Sequence, residues 1–186
     1  MKESPEIIIR RWEINDASSV AIYANNKNIF DNLRDGFPYP YSLKDARDFI
    51  QMAMKKDSST QLFAIDLNGE AIGSIGGIIK EDIYRLNAEV GYWLAEEFWG
   101  KGIITIAIKL ITRHLFEQFN IERIYAEPFS DNIASQKALE KAGYKLEARF
   151  IRNIIKNDVI KDSLIYSMLR SEFIKIRHIL PDPGEL

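Results

Sequence analysis

The chain has 186 residues, 46% hydrophobic and 28% charged, which fits one globular domain with a substantial core. Its 25 Lys+Arg against 27 Asp+Glu leave a formal charge of −2, so there is no broad electrostatic pull toward nucleic acid or an anionic membrane. With no cysteine and only His114 and His178 as imidazoles, disulfides, thiol catalysis and Cys-ligated zinc are excluded, and neither a histidine metal site nor a Ser-His-Asp triad is expected.

In chain order, "MKESPEIIIRRW" turns charged before its apolar run reaches the length of a signal peptide, and no later stretch approaches a membrane span. A single domain over residues 1–186 in the cytoplasm is the expectation. "IIIRRW" (Ile7 to Trp12) is rich in β-branched residues and reads as a first strand. "NDASSVAIYANN" follows as a helix, with Asn15 or Asp16 as its N-cap and Val20, Ala21 and Ala24 on one face. "NIFDNLRDGFPYPYS" reads as extended loop, because Pro38 and Pro40 oppose helix. Ser42 then opens a helix with Ala46, Phe49, Ile50 and Ala53 at helical spacing.

"QLFAIDLNGEAIGSIGGIIK" has Asn68-Gly69 between two apolar runs, the signature of a hairpin. "AEVGYWLA" (Ala88 to Ala95) reads as a strand, and "ITIAIKLITRHLFEQF" as a helix with Ile106, Leu110, Ile111 and Leu115 on its apolar face. His114 is expected on that helix's surface. "RIYAEPF" is a short strand that Pro128 ends or bends, and "DNIASQKALEKAGY" a compact helix with Gly143 just past its end. "EARFIRNII" and "VIKDSLIYSML" pair across "KND". "SEFIKIR" is a final helical turn or two, and "LPDPGEL" a loose tail. Early hairpins with two later helices predict an α+β fold: a mixed, mostly antiparallel central sheet flanked by helices.

Two strand-to-helix turns carry the chemistry. In "FWGKGIIT", Gly100 and Gly102 stand where a strand gives way to a helix, a place where bare backbone amides bind phosphate. The spacing matches neither a nucleoside-triphosphate P-loop nor G-x-G-x-x-G, and the turn taken alone reads first as an ordinary tight connection. In "AEPFSDNIASQKALEKAGY", Asn132 and Ser135 open a helix, where the ordinary role of each is N-capping.

Taken together, "EVGYWLAEEFWGKGIIT" and "RIYAEPFSDNIASQKALEKAGY" resemble the GNAT superfamily of acyl-CoA-dependent N-acetyltransferases, in its RimJ/RimL-like branch, over most of the chain. The resemblance implies acetyl-CoA as co-substrate, no metal, and an amine acceptor such as a ribosomal-protein N-terminus or a small-molecule amine. It also implies a monomer or homodimer with no direct nucleic-acid or membrane partner, and a sheet splayed between the fourth and fifth strands. The superfamily pattern Q/R-x-x-G-x-G/A falls on Trp99 through Ile104, with Trp99 and Ile104 as departures. Backbone amides from Gly100 through Lys101, Gly102, Ile103 and Ile104 to Thr105 are implied to hold the CoA pyrophosphate. Lys101 is either a charge contact or a solvated loop lysine. Tyr92, Trp93 and Leu94 would border the pantetheine arm, with a backbone N–H near Trp93 or Leu94 on the thioester carbonyl. Asn132 and Ser135 match positions near the thiol.

For the chemistry, the resemblance implies direct attack of a neutral amine on the thioester. Amines with pKa values of about 8 to 10.4 are mostly protonated at neutral pH, so a general base helps. Glu127 and Glu89 are the candidates, with preference for Glu127; for each, a plain strand carboxylate is the other reading. The tyrosine that many members carry one helical turn beyond Ser135 is Leu139 here. Ser135 is therefore the candidate donor to the leaving thiolate, ahead of Tyr144 and Tyr166. Phe37, Tyr39 and Tyr41 either line the acceptor side or form a small apolar cluster. Loss of the tyrosine leaves a second reading open: a catalytically inactive CoA-binding sensor or interaction module.

Overall fold

Two hairpins and one parallel pairing build the sheet. In the computed structural model, which describes residues 7–55 and 59–183, seven strands form a single sheet: β1 (Ile7–Arg10), β2 (Thr60–Leu67), β3 (Glu70–Ile79), β4 (Asn87–Leu94), β5 (Arg123–Ala126), β6 (Lys145–Lys156) and β7 (Val159–Leu169). Their order is β1-β2-β3-β4-β5-β7-β6, and every pairing is antiparallel except β4 with β5. β2 and β3 turn at Asn68-Gly69 and β6 and β7 at Asn157-Asp158, all four residues at positive φ, as tight hairpin turns require. The parallel pair needs a long crossover, which runs through the helix between β4 and β5.

Six helices cover the two faces: α1 (Ala17–Ala24), α2 (Lys27–Phe30), α3 (Leu43–Ala53), α4 (Ile103–Gln118), α5 (Ile133–Ala142) and α6 (Arg170–Ile176). Beneath α4 and α5 lies the larger core, including Phe63, Ile75, Val90, Leu94, Ile108, Ile111, Leu115 and Leu139. The smaller core lies under α1 and α3, around Trp12, Val20, Ala46, Ile50 and Trp93. Burying each large aliphatic side chain contributes about 1.5–3 kcal/mol. α3 starts at a reciprocal cap, with Ser42 Oγ accepting from Asp45 N–H and the Asp45 carboxylate accepting from Ser42 N–H. None of these helices is long and apolar enough to cross a membrane.

Several local expectations need correction. β1 stops at Arg10. Asp16 is the N-cap of α1 as expected, but its carboxylate makes no cap bond there; it accepts from Glu13 N–H and from Arg10 at 2.8 Å. The loop before α3 begins with the short helix α2, because the Asn26 side chain caps the amides of Asn28 and Ile29. Ile106 is only partly buried, while Ala107 and Ile108 turn fully inward. His114 is buried, not on the surface, wedged edge-on between Phe63 and Phe119 at 5.1 and 6.2 Å. In the C-terminal stretch Leu180 is buried and Asp182 pairs with Arg113; residues 184–186 of the expected tail lie outside the described residues.

Candidate active site

The sheet opens where β4 and β5 part. Their ladder joins Asn87, Ala88 and Glu89 to Arg123, Ile124 and Tyr125; β5 ends at Ala126 while β4 continues to Leu94. Along a strand, backbone groups alternate sides. Asn87 C=O accepts from Lys80 and Ala95 N–H donates to Ile72 C=O, so these two turn toward β3. By that alternation Val90, Tyr92 and Leu94 present their N–H and C=O groups to the gap, while Trp93 faces β3. Of the two amides expected near the thioester, Leu94 alone qualifies. Its carbonyl is already engaged, accepting from Trp99 Nε1 at 2.7 Å.

Past β4 the chain makes a short 3-10 turn over Glu96–Phe98 and then opens α4. Gly100 and Gly102 have φ of 74° and 81°, a region costly for residues with a Cβ, and a Cβ on either would meet no atom within 4 Å. Gly102 is the N-cap and no side chain caps this end. The amides of Ile103, Ile104 and Thr105 therefore lack intrahelical acceptors and lie at the positive end of the helix dipole. Ile104 packs against the larger core, so its extra bulk is taken up there. The Lys101 ammonium lies over the Phe98 ring, 5.2 Å from its centre.

Across the gap, α5 supplies Asn132 and Ser135. Asn132 Oδ1 accepts from Ser135 N–H at 3.1 Å, the capping role. The Ser135 hydroxyl is 2.7 Å from the Tyr92 hydroxyl. Burial pushes the Tyr92 phenol well above its ordinary range, against the opposing bond to Ser135, so it stays protonated. Leu139 is fully buried in the core. Tyr144 is held inside by Thr112 at 2.7 Å, and Tyr166 donates to Glu140 at 3.0 Å. The tyrosine that meets Ser135 thus comes from β4.

The carboxylates gather on the opposite face. Glu89 and Glu127 share one neighbour, Arg34: its Nη2 donates to Glu89 Oε1 at 2.5 Å and lies 3.7 Å from Glu127 Oε2. Glu89 also accepts from Lys80 at 2.6 Å and from Tyr125 at 3.4 Å. Burial of Glu89 disfavours its charge, but the Lys80 bond and the charges of Arg34 and Lys80 outweigh it and hold the carboxyl below its usual range. Glu127 lies one residue past the end of β5, not within the strand, and its Oε1 accepts from Ser163 Oγ at 2.6 Å. Asn153 braces Ser163 through two bonds of 2.8 and 3.0 Å.

Between Glu89 and Trp93 on this face stands Gly91, whose absent side chain leaves space with no atom within 4 Å. Phe37 packs edge-on to Trp93 at 6.1 Å and against Tyr41 at 5.0 Å. Tyr39 is separate, stacked on Phe30 at 5.5 Å. Arg34, Lys80, Asn153, Ser163 and the Tyr92 hydroxyl were not singled out from sequence. Tyr92 was expected beside the gap, but the meeting of its hydroxyl with Ser135, like the contacts of the others, joins distant segments.

The site thus combines an unpaired strand edge, the bare amides of a glycine-opened helix next along the chain, a hydroxyl pair and two carboxylates. Residues 6–145 match the Acetyltransferase (GNAT) domain, and the chain belongs to that family of N-acetyltransferases. YdaF of Bacillus subtilis (strain 168), assigned as a ribosomal N-acetyltransferase, is 33% identical over 116 residues, which span 58% of this chain and 63% of YdaF. Among solved structures, the microcin C7 self-immunity acetyltransferase MccE, in complex with acetyl-CoA and AMP, superposes with a TM-score of 0.78 at 25% identity, covering 88% of this chain and 92% of MccE. RimL, a ribosomal L7/L12 α-N-protein acetyltransferase in complex with coenzyme A, shares the fold with a TM-score of 0.78 at 22% identity, covering 88% of this chain and 98% of RimL.

Proposed function

We propose that the protein transfers an acetyl group from acetyl-CoA to a primary amine by direct attack. The observation that carries this is the unpaired stretch of β4 from Val90 to Leu94, followed along the chain by the uncapped amides after Gly102. A pantetheine arm lies along that edge like an added strand, and the pyrophosphate meets the helix N-terminus.

The amine arrives as an ammonium and gives one proton to Glu127, the more available of the two carboxylates, because Glu89 is committed to Lys80 and Arg34. The neutral nitrogen attacks the thioester carbonyl, whose developing charge the Leu94 amide stabilises. As the carbon–sulfur bond breaks, Ser135 donates a hydrogen bond to the thiolate, and Tyr92 donates in turn to the Ser135 oxygen. The second proton of the former amine ends on the coenzyme thiol. A ribosomal-protein N-terminus is the first acceptor to try, a choice that the likeness to the ribosomal N-acetyltransferase YdaF supports.

Isothermal titration with acetyl-CoA, followed by thiol release over a panel of N-terminal peptides and small amines, tests the reading. Micromolar binding with turnover on an acceptor is the expected result. Binding without turnover on any acceptor would instead make the chain an inactive CoA-binding module.

A further inference from the structure

Arg34 sits on the irregular stretch between α2 and α3, with its side chain 69% exposed. One guanidinium thus spans two carboxylates of the reacting face, Glu89 at 13% and Glu127 at 24% exposure. Lys80, on the other oxygen of Glu89, is far less exposed at 28%. The β6–β7 hairpin holds the acidic side chains that flank Arg34: Asn157 Nδ2 donates to Asp31 Oδ1 and Lys156 Nζ to Asp35 Oδ1, each at 2.8 Å. A swing of the exposed Arg34 side chain uncovers the carboxylates.

We infer that the Arg34 guanidinium stands in the place of the acceptor's ammonium group, so that a cationic amine must displace it to reach Glu127. This rests on the acetyltransferase reading above. Exposed ion pairs are weak, so the displacement is easy, but it is not neutral toward acceptor type. A cation that replaces Arg34 restores the charge balance beside Glu89 and Glu127. A neutral amine leaves two carboxylates with Lys80 alone. The acceptor class is therefore alkylammonium or α-ammonium groups, with weakly basic aromatic amines disfavoured. The empty side of Gly91 gives the displacing group room next to Glu89.

The test measures binding of propylammonium chloride by NMR titration at fixed ionic strength, with n-propanol as the neutral control. Arg34→Ala should bind propylammonium up to about fivefold more tightly than the wild type, which corresponds to the roughly 1 kcal/mol upper end for exposed pairs. Arg34→Lys should return to the wild-type affinity, and adding Glu127→Gln to Arg34→Ala should remove the gain. A folded Arg34→Ala that binds propylammonium no better than the wild type overturns the inference, as does an equal gain for n-propanol. This binding needs no turnover, so it decides the role of Arg34 even where thiol release fails and the transferase reading falls. Where turnover is present, acceptor KM should fall by the same factor in Arg34→Ala with kcat nearly unchanged.

Discussion

Removing the hydroxyls of Ser135 and Tyr92, singly and together, tests how the leaving thiolate is served. The two oxygens are 2.7 Å apart, and either hydroxyl can be the donor. Ser135→Ala removes the donor to the developing thiolate. A hydrogen bond to a charged group is worth about 1.5–3 kcal/mol, so turnover should fall roughly 10- to 150-fold. Tyr92→Phe removes only a neutral bond to the Ser135 oxygen, worth about 0.5–1.5 kcal/mol, for a fall of roughly two- to tenfold. Because the two act in series, the double variant should resemble Ser135→Ala alone, not the product of the singles. Thiol release at saturating acetyl-CoA and acceptor, read beside the melting temperature of each variant, makes the measurement. If both hydroxyls merely hold α5 against β4, each variant loses about 1 kcal/mol of stability and keeps its rate. Wild-type turnover in both single variants, or a double variant that multiplies their effects, would refute the series arrangement.

Glu127→Gln should lower turnover about 10²-fold or more with little change in acetyl-CoA affinity, and the loss should shrink at high pH; wild-type turnover at pH 7 would move the base elsewhere. Gly102→Val should cost about 1–2 kcal/mol of stability from its φ of 81° and weaken acetyl-CoA binding. Since a Cβ there meets no protein atom within 4 Å, unchanged affinity in the folded variant would show that the phosphate lies elsewhere. His114 is pushed down to about 4, chiefly by burial and further by the charge of Arg11. The unfolded chain, with an imidazole near its ordinary value of about 6.5, therefore binds the extra proton first, and stability is lost as pH falls from there toward 4. His114→Phe should remove about 2 kcal/mol of that loss at pH 4.5, seen as a smaller drop in melting temperature than in the wild type. Equal acid sensitivity would mean that other groups account for it.

The sequence by itself determined what depends on a few neighbouring residues. Asn68-Gly69 made its hairpin because both residues tolerate positive φ. The W-G-K-G turn placed two left-handed glycines before α4, and Asn132 capped the amide three residues on. These are local properties of backbone angle and side-chain reach, and they carried the family and the position of the groove. Tertiary structure decided everything that depends on which side a strand presents or on what meets it from far along the chain. The β3–β4 register turned the Trp93 amide away from the gap and the Leu94 amide toward it. Packing of α5 on β4 joined Ser135 to Tyr92 across 43 positions, so that a strand phenol meets the serine one helical turn before Leu139. Folding of the α2–α3 loop over the sheet brought Arg34 onto both carboxylates, with Glu89 also paired to Lys80 and Glu127 also accepting from Ser163. These partners come from parts of the chain that only the fold brings together.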